Sequence, residues 1–294
     1  MIRIGDEDLP ALFRAADDLS RSSQKSYLLM MSLNIILIIL ASVLGAISLA
    51  TVSAKSNISL ISSIIIGTSI VVTYITDAQK LDKDWYDGRA VAESVKTKAW
   101  RFMMRSDPYA NENAATLFSN TIRGIREERR SFVAKLNASS ASGNQITEKM
   151  ESVRELDLEQ RRALYLQERI ENQRNWYSSK AELNRLSAKK WFRLMLGCQI
   201  AALVMSFASV RWFNLSVNTV SIFTTCASSA LAWLQLKRHQ ELSNSYSLAA
   251  QELSTIAEQG RSVNTETGFA LFVSDAENAI SREHTLWSAR RDSY

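Results

Sequence analysis

The chain has 294 residues, 46% of them hydrophobic, yet its mean hydropathy of −0.11 is that of a soluble protein. Both hold only if apolar residues are gathered into a few segments and the rest is unusually charged. Two prolines and nine glycines supply too little turn chemistry for strands and predict long helices. A net charge of +5 and a pI near 9.2 fit the basic flanks of a membrane protein. No nucleic-acid-binding motif accompanies them, so nucleic acid is not an expected partner.

Residues 1–26 predict an amphipathic helix, with Leu9, Leu12, Phe13, Ala16 and Leu19 at helical spacing. This polar, acidic start is no cleavable signal peptide, so the first span is expected to be its own insertion signal. Tyr27–Ala50 carries no charge, and about 24 helical residues at about 1.5 Å each cross a hydrocarbon core of about 30 Å. A short break, Thr51–Asn57, leads to a second span, about 58–76. The two predict an antiparallel hairpin in a bilayer, because in lipid every peptide group must be bonded within its own segment.

Past Thr76 the helix is expected to continue, with Trp85, Arg89, Ala92, Lys96 and Trp100 on one face, until Asp107-Pro108 stops it. An amphipathic helix over about Asn111–Leu136 follows, then a small polar linker, 137–147. Thr147 is a cap for a long charged helix running to Trp191, with Tyr165, Arg169, Gln173, Trp176, Lys180, Asn184, Ala188 and Trp191 along one stripe. A third span, about 191–210, and a fourth, about 217–236, are joined by Arg211–Ser216. A polar helix to about Gly260 and an amphipathic one, about Thr265–Arg291, close the chain, the last with Phe269, Phe272, Ala276, Ile280 and Trp287 on its apolar side.

Basic residues set the topology. Arg14, Arg21 and Lys25 precede the first span, Lys80 and Lys83 follow the second, Lys189, Lys190 and Arg193 enter the third, and Lys237 and Arg238 leave the fourth; the connecting turns carry only Lys55 and Arg211. Both termini and all large polar segments are therefore expected in the cytoplasm.

The order helix, hairpin, helix, amphipathic helix occurs twice. Lys25-Ser26-Tyr27 aligns with Lys189-Lys190-Trp191. Ser62, Ile66, Ser69, Thr73 and Thr76 fall on Ser221, Thr225, Ser228, Ala232 and Gln235, each set on one face of a returning helix. Such hydroxyl-rich stripes serve close helix packing or line a pore, and both readings stand. No span carries a ring of charge, a buried acid or a broken helix, which argues against a coupled transporter. A single four-helix bundle is filled by side chains, so conduction would require several copies around an axis. The aromatic stripes of the polar helices offer packing surfaces for partner helices or for the other repeat.

The motifs carry a resemblance. Paired spans followed by Trp85-x3-Arg89-x2-Ala92-Glu93-Ser94-x-Lys96-x3-Trp100 resemble one SLATT domain. Tyr165-x3-Arg169-x3-Gln173-x2-Trp176-Tyr177-x2-Lys180-Ala181-x2-Asn184 leading into a hairpin, with Ser281–Trp287 near the end, resembles a second. The repeats would then cover 1–136 and 148–294. The resemblance implies a bacterial inner-membrane effector of antiviral or conflict systems, forming pores when a nucleotide signal is made, beside or fused to nucleotide-making or nucleotide-sensing domains. A nucleotide second messenger or a sensor protein is thus an implied partner, besides the lipid bilayer and further copies of the chain.

Chemistry of other kinds is sparse. His239 and His284 sit among charged residues and read as solvated or packed. Cys198 and Cys226 lie in apolar segments as packing residues. Asp82, Asp84 and Asp87 read as a solvated face beside Lys80, Lys83 and Arg89, and Arg126–Arg130 and Arg161-Arg162 as solvated charge runs. No glycine-rich phosphate loop, nucleophile elbow or spaced carboxylate pair is present. The expectation is therefore an all-α membrane protein with no catalytic, metal or cofactor residues: a homo-oligomeric, pore-forming or membrane-disrupting effector gated by cytoplasmic helices. The alternative is a non-conducting membrane scaffold that recruits a partner protein.

Overall fold

The computed structural model describes residues 2–50, 55–211 and 218–291, and the side chains of 2–48, 56–209 and 218–281. The expected turns at 51–57 and 211–216 lie partly or largely outside the described residues, and the side chains of His284 and Trp287 wholly so. Regular structure among the described residues is helical, without strands. In chain order the α-helices are α1 (Ala11–Ala50), α2 (Lys55–Gln79), α3 (Leu81–Met103), α4 (Ala114–Glu128), α5 (Arg130–Val133), α6 (Ala138–Ala141), α7 (Glu148–Arg154), α8 (Leu158–Leu164), α9 (Asn172–Arg211), α10 (Thr219–Lys237), α11 (His239–Arg261) and α12 (Glu266–Arg291). A π-helical segment, Tyr165–Glu171, connects α8 to α9. Four helical stretches, Ala11–Ser48, Ser56–Met103, Leu158–Ser209 and Thr219–Arg261, are long and apolar enough to cross a membrane. The chain is an all-α membrane protein.

Two compact units divide the chain, and each draws on both halves of the sequence. A membrane unit comprises residues 25–81 and 181–244, and a polar unit 1–24, 82–180 and 245–294.

In the membrane unit small residues point inward and large ones outward. Ala41, Ala46, Ser62, Ser69, Ala202, Ala227 and Ala230 are buried, whereas Leu60, Ile64, Ile70, Leu203 and Phe207 are exposed. This inverts a water-soluble core, because acyl chains solvate leucine as well as protein does and helices approach closely only where side chains are short.

The polar unit follows the opposite rule. Leu12 and Phe13 of α1, Val95, Trp100 and Met103 of α3, Phe118 of α4 and Phe269 and Val273 of α12 are all buried. Each large side chain so buried contributes about 1.5–3 kcal/mol. Aromatic rings interlock at the centre: Phe102 packs on Phe118 with centroids 5.1 Å apart, and Trp100 stands edge-on to Tyr165 at 5.8 Å.

Several elements depart from expectation, each for a local reason. The helix runs on past Thr76 to Gln79 and resumes at Leu81, with one break between. Lys80 takes a left-handed conformation with φ 49°, which ends the ladder of α2 before α3 begins; Arg238, φ 46°, separates α10 from α11 in the same way. Thr147 caps only α7, accepting from the Met150 N–H at 3.2 Å, and Asp157 caps the next helix, accepting from the Gln160 N–H at 2.8 Å. The expected helix over Asn111–Leu136 divides at Arg129 into α4 and α5. The segment read as a linker is ordered: it forms α6 and its end caps α1. The Ala11 N–H donates to the Asn144 carbonyl at 3.0 Å and the Leu12 N–H to Gln145 Oε1 at 3.1 Å.

α1 and α3 cross closely at Gly88. A Cβ there would lie 2.9 Å from Ser20 Cβ and 3.0 Å from the Ala16 carbonyl oxygen, whereas at Gly124 it would meet open space. Gly88→Ala is expected to destabilise the protein by about 1–3 kcal/mol. Gly124→Ala, at an exposed position of α4, should instead be neutral or stabilising by up to about 1 kcal/mol. Thermal unfolding in detergent compares the two.

Candidate functional site

The two aromatic stripes legible in the sequence meet at one place in the polar unit. They line a cavity of about 620 Å³, within the range of small-molecule sites. α3 supplies Trp85, Arg89, Lys96 and Trp100; the π segment and α9 supply Arg169, Gln173, Trp176 and Lys180; Phe13, Asp17 and Arg21 of α1 form another side. Two four-residue sets at helical spacing on separate helices thus become one surface.

Charges of both signs surround this space. Arg21 pairs with Asp17 at 2.7 Å and Asp6 at 3.2 Å, and Lys96 reaches Asp6 at 3.6 Å. Such partly exposed pairs are weak, about 0–1 kcal/mol each. The Lys180 ammonium lies 5.7 Å from the Trp176 ring centre. Trp176 is 37% exposed and meets Tyr177 and Tyr246 edge-on, while Tyr177 is buried. Trp85 stacks on Tyr86 at 4.7 Å, and its carbonyl accepts from Ser20 Oγ at 2.8 Å. Trp100 is 2% exposed, and its indole Nε1 has no hydrogen-bond acceptor among the described residues.

Behind the cavity wall lies a buried ion pair. Arg169 donates from Nε to Glu277 Oε1 and from Nη2 to Glu277 Oε2, both at 2.8 Å, and the Tyr165 hydroxyl donates to the same Oε1 at 3.0 Å. Arg169 and Glu277 have side chains 2% and 0% exposed. Burial alone would strip the Arg169 charge, but the adjoining carboxylate more than offsets it and its pKa is raised. Burial, reinforced by that carboxylate, pushes the Tyr165 phenol well above its ordinary value.

Sequence reasoning found Tyr165 and Arg169 but missed Glu277. The available signal was an acid amid the apolar face of α12, between Val273 and Ile280, with a motif arginine elsewhere requiring a counter-charge. Arg161 corrects another expectation. Far from solvated, it is fully buried; it donates to the carbonyls of Leu156 and Met104, both at 3.0 Å, and pairs with Glu266 at 2.5 Å. It therefore serves the C-terminal end of α3. Arg162 donates to the Val263 carbonyl at 2.5 Å. Among the acids after α2, Asp84 pairs with Lys135 at 2.5 Å. No group of His, Cys, Asp and Glu among the described residues could hold a metal ion.

The hydroxyl-bearing stripes of the membrane unit take two different placements. On α2, Ser62 donates to the Ala41 carbonyl at 3.2 Å, Ser69 bonds Asn34 Oδ1, and Asn34 Nδ2 donates to Thr73 Oγ1 at 3.1 Å. Ser62, Ser69 and Thr76 are buried and Ile66 is exposed; Thr76 bonds back to the Val72 carbonyl at 2.7 Å. On α10, Thr225 donates to Ser42 Oγ at 3.0 Å, joining the second hairpin to α1, and Ser221 bonds the Asn218 carbonyl at 2.8 Å. Ser228 and Gln235 are exposed. Trp191 packs on Trp233 at 5.8 Å, and buried His239 meets Asn184 Oδ1 through Nδ1 at 2.8 Å. Cys198 and Cys226 are free and half-buried.

Four spans in two hairpins, with polar helices that build a separate core, define a multi-pass helical membrane protein with two-span halves. Residues 10–162 match the family model of SMODS and SLOG-associating 2TM effector domain 3, and residues 165–287 that of SMODS and SLOG-associating 2TM effector domain 1. The chain belongs to the SLATT family as a tandem of two such domains, those of a membrane-associated effector. Searches of curated proteins and of solved structures each found no match.

Glu277→Leu leaves Arg169 charged and unpaired in the core, so a loss of about 3–5 kcal/mol is expected. Arg169→Met added to it should recover most of that loss; denaturant unfolding followed by tryptophan fluorescence measures both. Asn34→Leu is expected to cost only about 1 kcal/mol, since interhelical bonds in membranes are that weak and Thr73 keeps its own bond to the Ser69 carbonyl at 3.0 Å. Unfolding in mixed micelles checks the contrast.

Proposed function

We propose that the protein is a homo-oligomeric, pore-forming or membrane-disrupting effector of a bacterial antiviral or conflict system. In this reading it sits in the plasma membrane with both termini in the cytoplasm, as the basic flanks of the spans favour, and acts without catalysis. One observation carries the reading: α10 exposes Ser228 and Gln235 on a helix apolar enough to span a bilayer. Polar side chains facing away from a chain's own helices are best accommodated by water or by other copies around an axis. The residues buried in the membrane unit are mostly small ones at helix contacts, which favours a conduit among chains over one inside a chain.

The cavity is the place for the trigger. Its indole faces, Arg89 and Lys96 suit a planar, anionic molecule such as a nucleotide second messenger, supplied by a sensor or synthase partner. A signal that repacks α1 and α9 there acts on helices that also carry spans, and the α10 stripe then opens to the axis.

Induced expression with a potential-sensitive dye tests the reading. Triggered cells should depolarise, and purified protein in liposomes should release dye. Ser228→Leu with Gln235→Leu should reduce leakage at least tenfold, while Ser62→Ala, whose hydroxyl is used within the chain, should change it little. Silent liposomes together with recovery of a bound partner would favour the scaffold and overturn this function.

A further inference from the structure

α9 carries a polar side chain that the described residues leave unserved. Gln199 sits within the third span, about 12 Å along the helix from Trp191, and is exposed. None of the described residues hydrogen-bonds it. Some exposed hydroxyls elsewhere in the spans bond their own helix: Ser63 donates to the Ser59 carbonyl at 2.9 Å and Thr68 to the Ile64 carbonyl at 2.9 Å. An amide cannot be satisfied in this way. It has an acceptor oxygen as well as two donor hydrogens, and the middle of a helix offers no free backbone N–H. Bare amide in hydrocarbon is strongly unfavourable.

The neighbours of Gln199 form a seam. Phe192, Leu196, Leu203 and Ser206 lie at spacings of four and three on the same face and are exposed, the first three at 53%, 42% and 58%. Apolar positions at that spacing with a single amide among them make the pattern by which helices associate in a defined register. The adjacent exposed face, Ile200, Val204 and Phe207, has no such group.

We propose that this face of α9 binds the same face of a second copy of the chain, with the Gln199 amides paired reciprocally across a two-fold axis. The proposal rests on the homo-oligomeric reading above and names the contact. A second copy is the occupant because an amide is complementary to itself, and because all copies insert with one orientation. A two-fold axis along the membrane normal therefore brings each Gln199 to the other at equal depth. Aliphatic side chains on both sides close the seam, and the amide pair sets its register.

Cysteine scanning of the full chain in native membranes, with Cys198→Ser and Cys226→Ser as background, tests this. Oxidative cross-links are expected for Leu196→Cys, Gln199→Cys and Leu203→Cys and not for Ile200→Cys or Val204→Cys. In liposomes, energy transfer between labelled copies should show Gln199→Leu weakening association about tenfold, with Gln199→Asn retaining part of it. Leucine suits lipid better than glutamine, so weaker association would not reflect failed insertion. Association unchanged by Gln199→Leu, or cross-links on the Ile200 face, would overturn the seam while leaving the oligomer intact. A chain that stays monomeric at every density would overturn both.

Discussion

Hydrocarbon supplies no hydrogen bonds, and that constraint organises this protein. Each segment that crosses the bilayer must bond its peptide groups internally, which makes it a helix. Hydrocarbon also gives apolar side chains no reason to leave it, so large residues gain little by turning inward. Helices are then drawn together by close approach and by occasional polar bonds. The buried alanines and serines of the membrane unit and the links from Asn34 to Ser69 and Thr73 and from Ser42 to Thr225 follow from this. Polar groups left outside such links, Gln199, Ser228 and Gln235, acquire meaning for the same reason.

The polar unit obeys water instead. It buries Trp100, Phe102, Phe118, Phe269 and Met103, and with them a bidentate Arg169–Glu277 pair. A buried pair of this kind adds little net stability but penalises any arrangement that separates its members. It therefore ties the π segment to α12 in one register, and the cavity wall that Arg169 helps to form inherits that register. The π turn itself adds a residue to the helical repeat while Tyr165 and Arg169 both reach Glu277.

Much of the architecture was legible because its signals are one-dimensional. Uncharged runs of bilayer length, the scarcity of proline and glycine, and motif spacings on Trp85–Trp100 and Tyr165–Asn184 need no partner to be recognised. Failures came where a residue's state depends on something distant in sequence. Arg161 beside Arg162 reads as a solvated pair until the carbonyl end of α3 arrives over it. Glu277 reads as an ordinary helical acid until Arg169 is placed against it. Lys80 and Arg238 gave no warning of helix breaks, because left-handed lysine and arginine have no compositional mark. The stretch after Asn137 has a linker's composition, yet its carbonyl and amide groups cap α1.

By itself the sequence determined the helical class, four crossings, the duplicated order and the family, since these depend on length, charge and spacing along one chain. Tertiary structure alone decided which hydroxyls serve the chain's own helices and which face outward, and that two separated stripes share one cavity. Helical periodicity tells which residues share a face, but which neighbour covers that face depends on contacts between segments far apart in the chain.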